Sequence, residues 1–72
     1  MFSEWENHKI QLKNYINQQI DDSSIVDDIL QDVYIKASNN LQQLKMKGSL
    51  KSWLYRITRN TIMDYYRQRT NF

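Results

Sequence analysis

The sequence predicts a small all-α protein, a compact bundle of three or four helices. Its 72 residues suffice for one domain, spanning residues 1–72. One glycine and no proline leave little material for β-hairpins and tight turns. Apolar residues recur every three or four positions in three segments, and this is the periodicity of helices that bury one face.

The first predicted helix begins near Ser3, where Ser3 and Glu6 have the spacing of a capping box. Its apolar face comprises Trp5, Leu12, Tyr15, Ile16 and Ile20. The segment 21–24, Asp-Asp-Ser-Ser, breaks this pattern. Because each of its side chains competes for backbone hydrogen bonds, the segment predicts a turn that ends the first helix.

The second predicted helix is capped by Ser24 together with Asp27. Asp27 and Asp28 then lie in the first turn, where the helix dipole favours negative charge. The polar run at 38–40 leaves two alternatives: the helix ends there, or it continues with a kink to Leu44. The apolar face of this helix comprises Val26, Ile29, Leu30, Val33, Ala37, Leu41 and Leu44.

The third predicted helix follows a basic loop from Lys45 to Gly48, in which the glycine can take a positive φ freely. Ser49 is its predicted cap, and the helix extends to about Arg69. Its buried stripe is predicted to comprise Leu50, Trp53, Leu54, Ile57, Thr61 or Ile62, and Tyr65.

Charge is divided unequally along the chain. Residues 1–44 carry three lysines against seven acids, whereas residues 45–72 carry seven basic residues against one acid. The two parts therefore have net charges of −4 and +6, which together give the overall +2. This asymmetry predicts two surfaces with different partners, and the alternative is a charge distribution that serves solubility alone.

The composition argues against several functional classes. The chain has no cysteine and a single histidine, His8, so it lacks the residues for a thiolate metal site or a catalytic triad. We expect no metal, no cofactor and no enzymatic activity. No apolar run approaches the roughly 20 residues of a membrane span, so no membrane partner is expected. The absence of cysteine fits a reducing cytoplasm.

The outward face of the third helix predicts nucleic-acid binding. Arginine forks match phosphate geometry, and tyrosines can stack on bases, at about 1–3 kcal/mol per base. The Asn60 amide suits a base edge. Basic residues mixed with aromatic ones favour a single or melted strand over an intact duplex, and the alternative is an ordinary solvated face. The stripe comprises Arg56, Arg59, Asn60, Met63 and Arg67, with Lys51 and Tyr55 beside one end and Tyr66 near the other.

A second candidate surface lies on the second helix, where Asp28, Gln31, Asp32 and Ile35 share one face. An apolar residue among acids is typical of a docking patch for a basic protein partner. The alternative is a solvated face with one stray isoleucine. Acid–base catalysis is disfavoured, because these carboxylates lie on an open helix surface without a nucleophile.

Three stretches together resemble region 2 of bacterial sigma factors of the sigma-70 family, in the extracytoplasmic-function (ECF) class. They are V-D-D-I-L-Q-D-V-Y-I-K-A at 26–37, G-S-L-K-S-W-L-Y-R-I-T-R-N at 48–60 and D-Y-Y-R at 64–67. The resemblance covers almost the whole chain and is weakest before Leu12. It implies a sigma region 2-like bundle that takes part in transcription initiation and performs no chemistry itself.

The resemblance also implies roles for individual residues. Asp28, Gln31 and Asp32 match positions that dock on the clamp helices of the RNA polymerase β′ subunit, and Ile35 is added from the geometry of the face alone. The basic loop and the start of the third helix match the part that captures an extruded base of the −10 promoter element, and Asn60 matches a position implicated in that pocket. Contacts to the single-stranded non-template DNA are expected from Lys45, Lys47, Lys51, Trp53, Tyr55, Arg56, Arg59, Asn60, Met63, Tyr66 and Arg67.

The chain departs from the family pattern in length. Family members carry a second helical domain that binds the −35 element, whereas this chain stops at Phe72, as an excised domain or a truncated protein would. An anti-sigma factor is a further partner that the resemblance allows. Two alternatives are a helical protein-interaction module without a nucleic-acid role and a helix-turn-helix binder of duplex DNA.

Overall fold

The computed structural model describes residues 5–40 and 49–70, which form three α-helices. These are α1 (Trp5–Gln19), α2 (Ser23–Asn39) and α3 (Leu50–Thr70). The prediction of an all-α fold is confirmed, since the described residues include no strand. The predicted cap Ser3, the predicted core residues Leu41 and Leu44, and the basic loop 45–48 lie outside the described residues.

The three helices pack around one hydrophobic core, to which each contributes a face. The predicted apolar faces of α1 and α2 are confirmed in the described residues, and Ile20 is buried directly after the end of α1. Burying one such large apolar side chain contributes about 1.5–3 kcal/mol relative to leaving it exposed. The core comprises Trp5, Leu12, Ile16, Ile20, Val26, Ile29, Leu30, Val33, Ala37, Trp53, Leu54 and Ile62.

The start of α2 differs from the prediction. Asp22, rather than Ser24, is the N-cap: its Oδ1 accepts hydrogen bonds from the backbone N–H groups of Ser24 at 3.0 Å and Ile25 at 3.4 Å. A carboxylate at this position satisfies two otherwise unpaired donors, so the helix begins earlier than the Ser24 cap predicted. The prediction that Asp27 and Asp28 lie in the first turn is therefore wrong.

The hydrogen bonds at Asp22 also change its ionisation. The hydroxyl of Ser24 donates to Asp22 Oδ1 at 2.7 Å. This bond is the main reason that the pKa of the Asp22 carboxyl lies below its ordinary value of 3.8. The hydrogen bonds from the backbone N–H groups of Ile25 and Ser24 lower the pKa further.

The end of α2 is set by Asn40, whose backbone N–H donates to the Ala37 carbonyl at 3.2 Å. The Asn40 side-chain amide donates to the Lys36 carbonyl at 2.7 Å. Two carbonyls of the last turn are thus satisfied, and of the two predicted alternatives the helix ends at the polar run.

The predicted cap of α3 is confirmed, since the Ser49 hydroxyl accepts a hydrogen bond from the backbone N–H of Ser52 at 3.3 Å. The predicted stripe of α3 omitted Thr58, which is fully buried. Its hydroxyl donates to the Leu54 carbonyl at 2.7 Å, and this bond lets a polar side chain occupy the core. Thr61 and Ile62 are both buried, whereas Leu50, Ile57 and Tyr65 are partly buried beside the core.

Aromatic side chains tie α1 to both other helices. Trp5 meets Tyr34 of α2 with ring centroids 5.0 Å apart and planes at 66°. Tyr15 meets Tyr55 of α3 at 5.3 Å and 82°. Both are edge-to-face pairs, a geometry that adds about 0.5–1.5 kcal/mol to the burial of the rings. The two pairs fix α1 against the helices that carry the candidate surfaces.

Candidate nucleic-acid and partner interfaces

The outward stripe of α3 is present as predicted. Arg56, Arg59, Asn60, Met63 and Arg67 are all exposed and follow the spacing of one helix face. Within residues 5–40 and 49–70, no ion pair involves Arg56 or Arg59. Two neighbouring guanidinium groups on one face repel each other, and an anion lying along them would relieve this repulsion.

The C-terminal end of α3 is different, because its arginines have partners within the helix. Arg67 Nη1 lies 3.2 Å from Asp64 Oδ1. Arg69 Nη1 donates to the Tyr65 hydroxyl at 2.8 Å, and its guanidinium lies 5.7 Å from the centre of that ring. The hydrogen bond to Tyr65 raises the pKa of Arg69 above its ordinary value. Arg56 and Arg59 of the N-terminal half can thus bind an anion without breaking a described ion pair or hydrogen bond.

The aromatic residues assigned to DNA are anchored in the bundle to different degrees. Trp53 is only 5% exposed, and Tyr55 is partly buried against Tyr15. Tyr66 is exposed, but its hydroxyl donates to the Gln19 carbonyl at the end of α1 at 2.9 Å. Stacking on a base needs an exposed ring face, which Tyr66 offers better than Trp53.

A small depression of about 130 Å³ lies at the start of α3. It is lined by Ser49, Ser52, Trp53 and Arg56, which are two hydroxyl-bearing residues, one aromatic residue and one cation. Neither serine was predicted as a DNA contact from the sequence, where Ser49 was predicted only as a helix cap, although their spacing from Arg56 places both on the same stripe. Asn60 lies one turn beyond Arg56 and outside the depression. Lys51 is exposed near it, while Lys45 and Lys47 lie outside the described residues.

The acidic face of α2 is also exposed as predicted. Asp28, Gln31 and Asp32 are exposed, and the apolar side chain of Ile35 is 47% exposed. This face forms one side of a groove of about 390 Å³ between α2 and α3. The groove is lined by Ile25, Asp28, Ile29, Asp32, Ile35, Lys36, Thr61, Asp64, Tyr65 and Gln68.

The groove contains a polar link between the two helices. Lys36 Nζ of α2 lies 3.6 Å from Asp64 Oδ2 of α3 and donates to Thr61 Oγ1 at 3.2 Å. The Thr61 hydroxyl in turn donates to the Ile57 carbonyl at 2.8 Å. The sequence interpretation missed this link because its members are 25 or more positions apart. The groove thus combines apolar walls, acids at its rim and one paired lysine.

The described part of the chain offers neither a metal site nor a membrane span. Residues 5–40 and 49–70 contain no group of three or more histidine or acidic side chains able to hold a metal ion. Neither α1, α2 nor α3 has a stretch long and apolar enough to cross a bilayer.

A family model and several curated proteins match this chain, and all of them are described as sigma factors. Residues 5–72 match the family model described as Sigma-70 region 2. The chain is 48% identical over 63 residues to RNA polymerase sigma factor SigZ of Bacillus subtilis (strain 168), an alignment that covers 88% of this chain and 36% of SigZ. It is 30% identical over 57 residues to the ECF RNA polymerase sigma factor SigX of the same organism, covering 79% of this chain and 29% of SigX.

A probable RNA polymerase sigma factor of Haemophilus influenzae (strain ATCC 51907 / DSM 11121 / KW20 / Rd) is 28% identical over 64 residues, covering 89% of this chain and 33% of that protein. The chain therefore spans about a third of the length of these relatives. No solved structure gives a significant match.

Proposed function

Because the chain belongs to the Sigma-70 region 2 family, we propose that it is the part of a transcription initiation factor that docks on RNA polymerase and holds the melted −10 promoter strand. The exposed arginine stripe beside a small depression at the start of α3 is the observation that carries the proposal. The face of α2 and the groove next to it supply the docking surface.

The strand side of the proposal rests on the N-terminal half of α3. Arg56 and Arg59 bind phosphates, since neither is engaged in a described ion pair and both project from one stripe. The depression lined by Ser49, Ser52 and Trp53 accepts part of an unstacked base, with the indole as its wall. Capturing that base offsets the few kcal/mol needed to unstack it, so that recognition and melting occur together.

The docking side of the proposal rests on the groove between α2 and α3. A helical partner such as the β′ clamp helices can bury the exposed part of Ile35 and place basic side chains against Asp28 and Asp32. The apolar walls favour burial, and the acids at the rim select a basic partner. Gln31 lies on the same exposed face outside the groove and extends the contact.

The strand side is tested by fluorescence anisotropy with single-stranded −10 oligonucleotides at several salt concentrations. Each phosphate engaged should lower log K by about 0.7 per decade of salt, so replacing Arg56 and Arg59 by glutamine should flatten the slope by about 1.4. Asn60→Ala should weaken the preferred sequence more than others. The matched control replaces Lys9 and Lys13 of α1 by glutamine, which removes the same charge elsewhere.

A flat salt response would contradict the nucleic-acid role and leave the protein-interaction alternative. Tighter binding to duplex than to single strand would instead favour the helix-turn-helix alternative.

The docking side is tested by the double change Asp28→Lys with Gln31→Ala. It should abolish binding to the β′ clamp helices while the helical circular dichroism is retained. Asp21→Lys with Gln18→Ala is the control, because it makes the same chemical changes at exposed positions away from the groove. Binding that survives the first pair of changes would contradict the assignment of this face.

A further inference from the structure

The outward faces of α2 and α3 have the same spacing and opposite charge. The acid face comprises Asp28, Gln31, Asp32 and Ile35, and the arginine face comprises Arg56, Arg59, Asn60 and Met63. Both follow i, i+3, i+4 and i+7, so each is a stripe of about 10 Å along its helix. Each stripe ends, on its C-terminal side, in one exposed apolar side chain, which is 47% exposed for Ile35 and 48% for Met63. Two such stripes can lie on one another.

The two faces cannot meet within one chain. All of their side chains are exposed, and each face lies opposite the side of its helix that packs into the common core. None of the described ion pairs joins an aspartate of the acid face to an arginine of the arginine face. The described ion pair between α2 and α3 is instead that of Lys36 with Asp64. A second copy of the chain brings an arginine face to the acid face without any rearrangement of the bundle.

One orientation of the two helices matches the faces position by position. When two helices face each other in parallel, the left edge of one stripe lies against the right edge of the other, so i+3 of one meets i+4 of its partner. The facing pairs are then Asp28 with Arg56, Asp32 with Arg59, Gln31 with Asn60, and Ile35 with Met63. An antiparallel arrangement would instead place Ile35 against Arg56 and Asp28 against Met63, which leaves a charge without a partner at each end.

We propose that the chain associates with a second copy of itself, the acid face of one copy lying in parallel on the arginine face of the other. The contact joins two ion pairs, one pair of side-chain amides that can donate to each other, and one apolar pair. While two copies are associated, one has its acid face covered and the other its arginine face. This inference goes beyond the proposed function and does not rest on it, because both faces belong to the chain itself.

The strength of the association follows from its size and its exposure. One stripe from each copy buries less than a standard protein interface, which places the contact among the weak and transient ones. Ion pairs between exposed side chains are individually weak and are screened by salt. We expect a Kd on the order of 0.1–1 mM at low salt. Because every copy carries one face of each kind, the contact is heterologous and a pair can add a third copy.

Sedimentation equilibrium of the 72-residue chain tests the association, at concentrations from about 10 µM to 1 mM. The average mass should rise with concentration at low salt and fall toward the monomer at high salt. Asp28→Asn with Asp32→Asn should raise the Kd about fivefold or more, and Arg56→Gln with Arg59→Gln should do the same. A monomer mass of the unchanged chain over the whole range would overturn the inference.

Mixing the two double variants tests whether the faces bind each other. One variant keeps its arginine face and the other keeps its acid face, so an equimolar mixture should associate again and stop at one copy of each. A mixture that stays as monomeric as its components would contradict the proposed contact.

The controls for charge are two further double variants at exposed positions outside both faces. Glu6→Gln with Asp21→Asn removes two negative charges, and Lys9→Gln with Lys13→Gln removes two positive ones. Both should self-associate like the unchanged chain. Controls that weaken the association as much as the face variants would show that total charge, and not these faces, governs it.

The absence of cysteine permits a direct test of orientation. A chain with Ile35→Cys mixed with one carrying Met63→Cys should form the mixed disulfide readily, because a disulfide needs Cβ atoms about 4 Å apart. Mixing Ile35→Cys with Arg56→Cys reports the antiparallel arrangement, and mixing it with Ile10→Cys reports random collision at another exposed site. Mass spectrometry after mild oxidation measures the three mixed products. Equal yields in the three mixtures, or a higher yield with Arg56→Cys, would overturn the parallel contact.

Discussion

The exposed faces of α2 and α3 share one core but are constructed differently. The acids of α2 form the rim of a groove, and that groove is completed by Thr61, Asp64 and Tyr65 of the neighbouring helix. The arginines of α3 lie on the outside of a single helix, with Arg56 and Arg59 in no described ion pair. One surface therefore depends on how two helices pack, whereas the other depends only on helical periodicity.

This difference indicates how each surface can select its ligand. A groove with apolar walls and acids at its rim discriminates by shape as well as charge. A stripe of arginines binds any phosphate backbone, and sequence preference must come from the few groups that contact bases. On α3 we propose Asn60 and the depression beside Trp53 for this role, since Trp53 and Tyr55 are largely occupied by packing.

The largest expected effect comes from opening a cavity in the core that both faces share. Leu54 is fully buried, so Leu54→Ala should lower the free energy of unfolding by about 2–5 kcal/mol, through lost burial and the cavity it leaves. In a chain this small that is a large part of the total stability. Urea unfolding followed by circular dichroism measures the loss, and polymerase and oligonucleotide binding should decline together.

The control for this prediction is Met63→Ala on the exposed stripe of the same helix. Met63 is 48% exposed, so the free energy of unfolding should change by about 0.5 kcal/mol or less. If Leu54→Ala removed one binding activity and kept the other, the two faces would not depend on a common core.

A smaller effect is expected at Tyr66 of α3, where one substitution should lower stability and leave oligonucleotide binding unchanged. Tyr66→Phe removes the hydrogen bond to the Gln19 carbonyl and should cost about 0.5–1.5 kcal/mol of stability. Oligonucleotide binding should be unchanged, because phenylalanine keeps the ring and the hydroxyl is used at the end of α1. Thermal unfolding and anisotropy on the same samples measure both quantities. Weaker oligonucleotide binding at unchanged stability would show instead that the hydroxyl contacts nucleic acid.

The contrast between the faces also explains what the sequence could predict. The stripe from Arg56 to Arg67 follows from helical spacing and was predicted residue by residue. The exposure of Asp28 and Ile35 was predicted in the same way. The groove was not, because its link between Lys36 and Asp64 joins positions 28 residues apart in different helices. Periodicity places residues on one helix, but packing between helices decides what they face.

Two local errors have local physical causes. Ser24 and Asp22 are both good capping residues, and the pattern does not rank them. The carboxylate of Asp22 is the cap because it accepts from two backbone N–H groups and from the Ser24 hydroxyl. Thr58 was missed because its hydroxyl is polar and the neighbouring apolar residue Ile57 was assigned to the buried stripe instead. Its bond to the Leu54 carbonyl removes the cost of burying it.

The smallest expected effect distinguishes the acid that caps α2 from the acids of its proposed docking face. Asp22→Asn keeps a capping oxygen but removes the charge, so stability near neutral pH should fall slightly. The folded pKa of Asp22 lies below 3.8, so its ionised form stabilises the folded state above that pH, and this stabilisation is lost as the pH falls through the folded pKa. Melting temperatures of the two chains should therefore converge in acid.

The control is Asp28→Asn, which removes the same charge from the docking face, where no described hydrogen bond holds the carboxylate. Its melting temperature should follow that of the unchanged chain more closely at neutral pH. The order of the two effects should be the opposite for binding: Asp28→Asn should weaken polymerase binding, and Asp22→Asn should not. Equal effects of the two changes on stability and on binding would mean that the acids of α2 act only through total charge, and that the groove does not distinguish Asp28 from its neighbours.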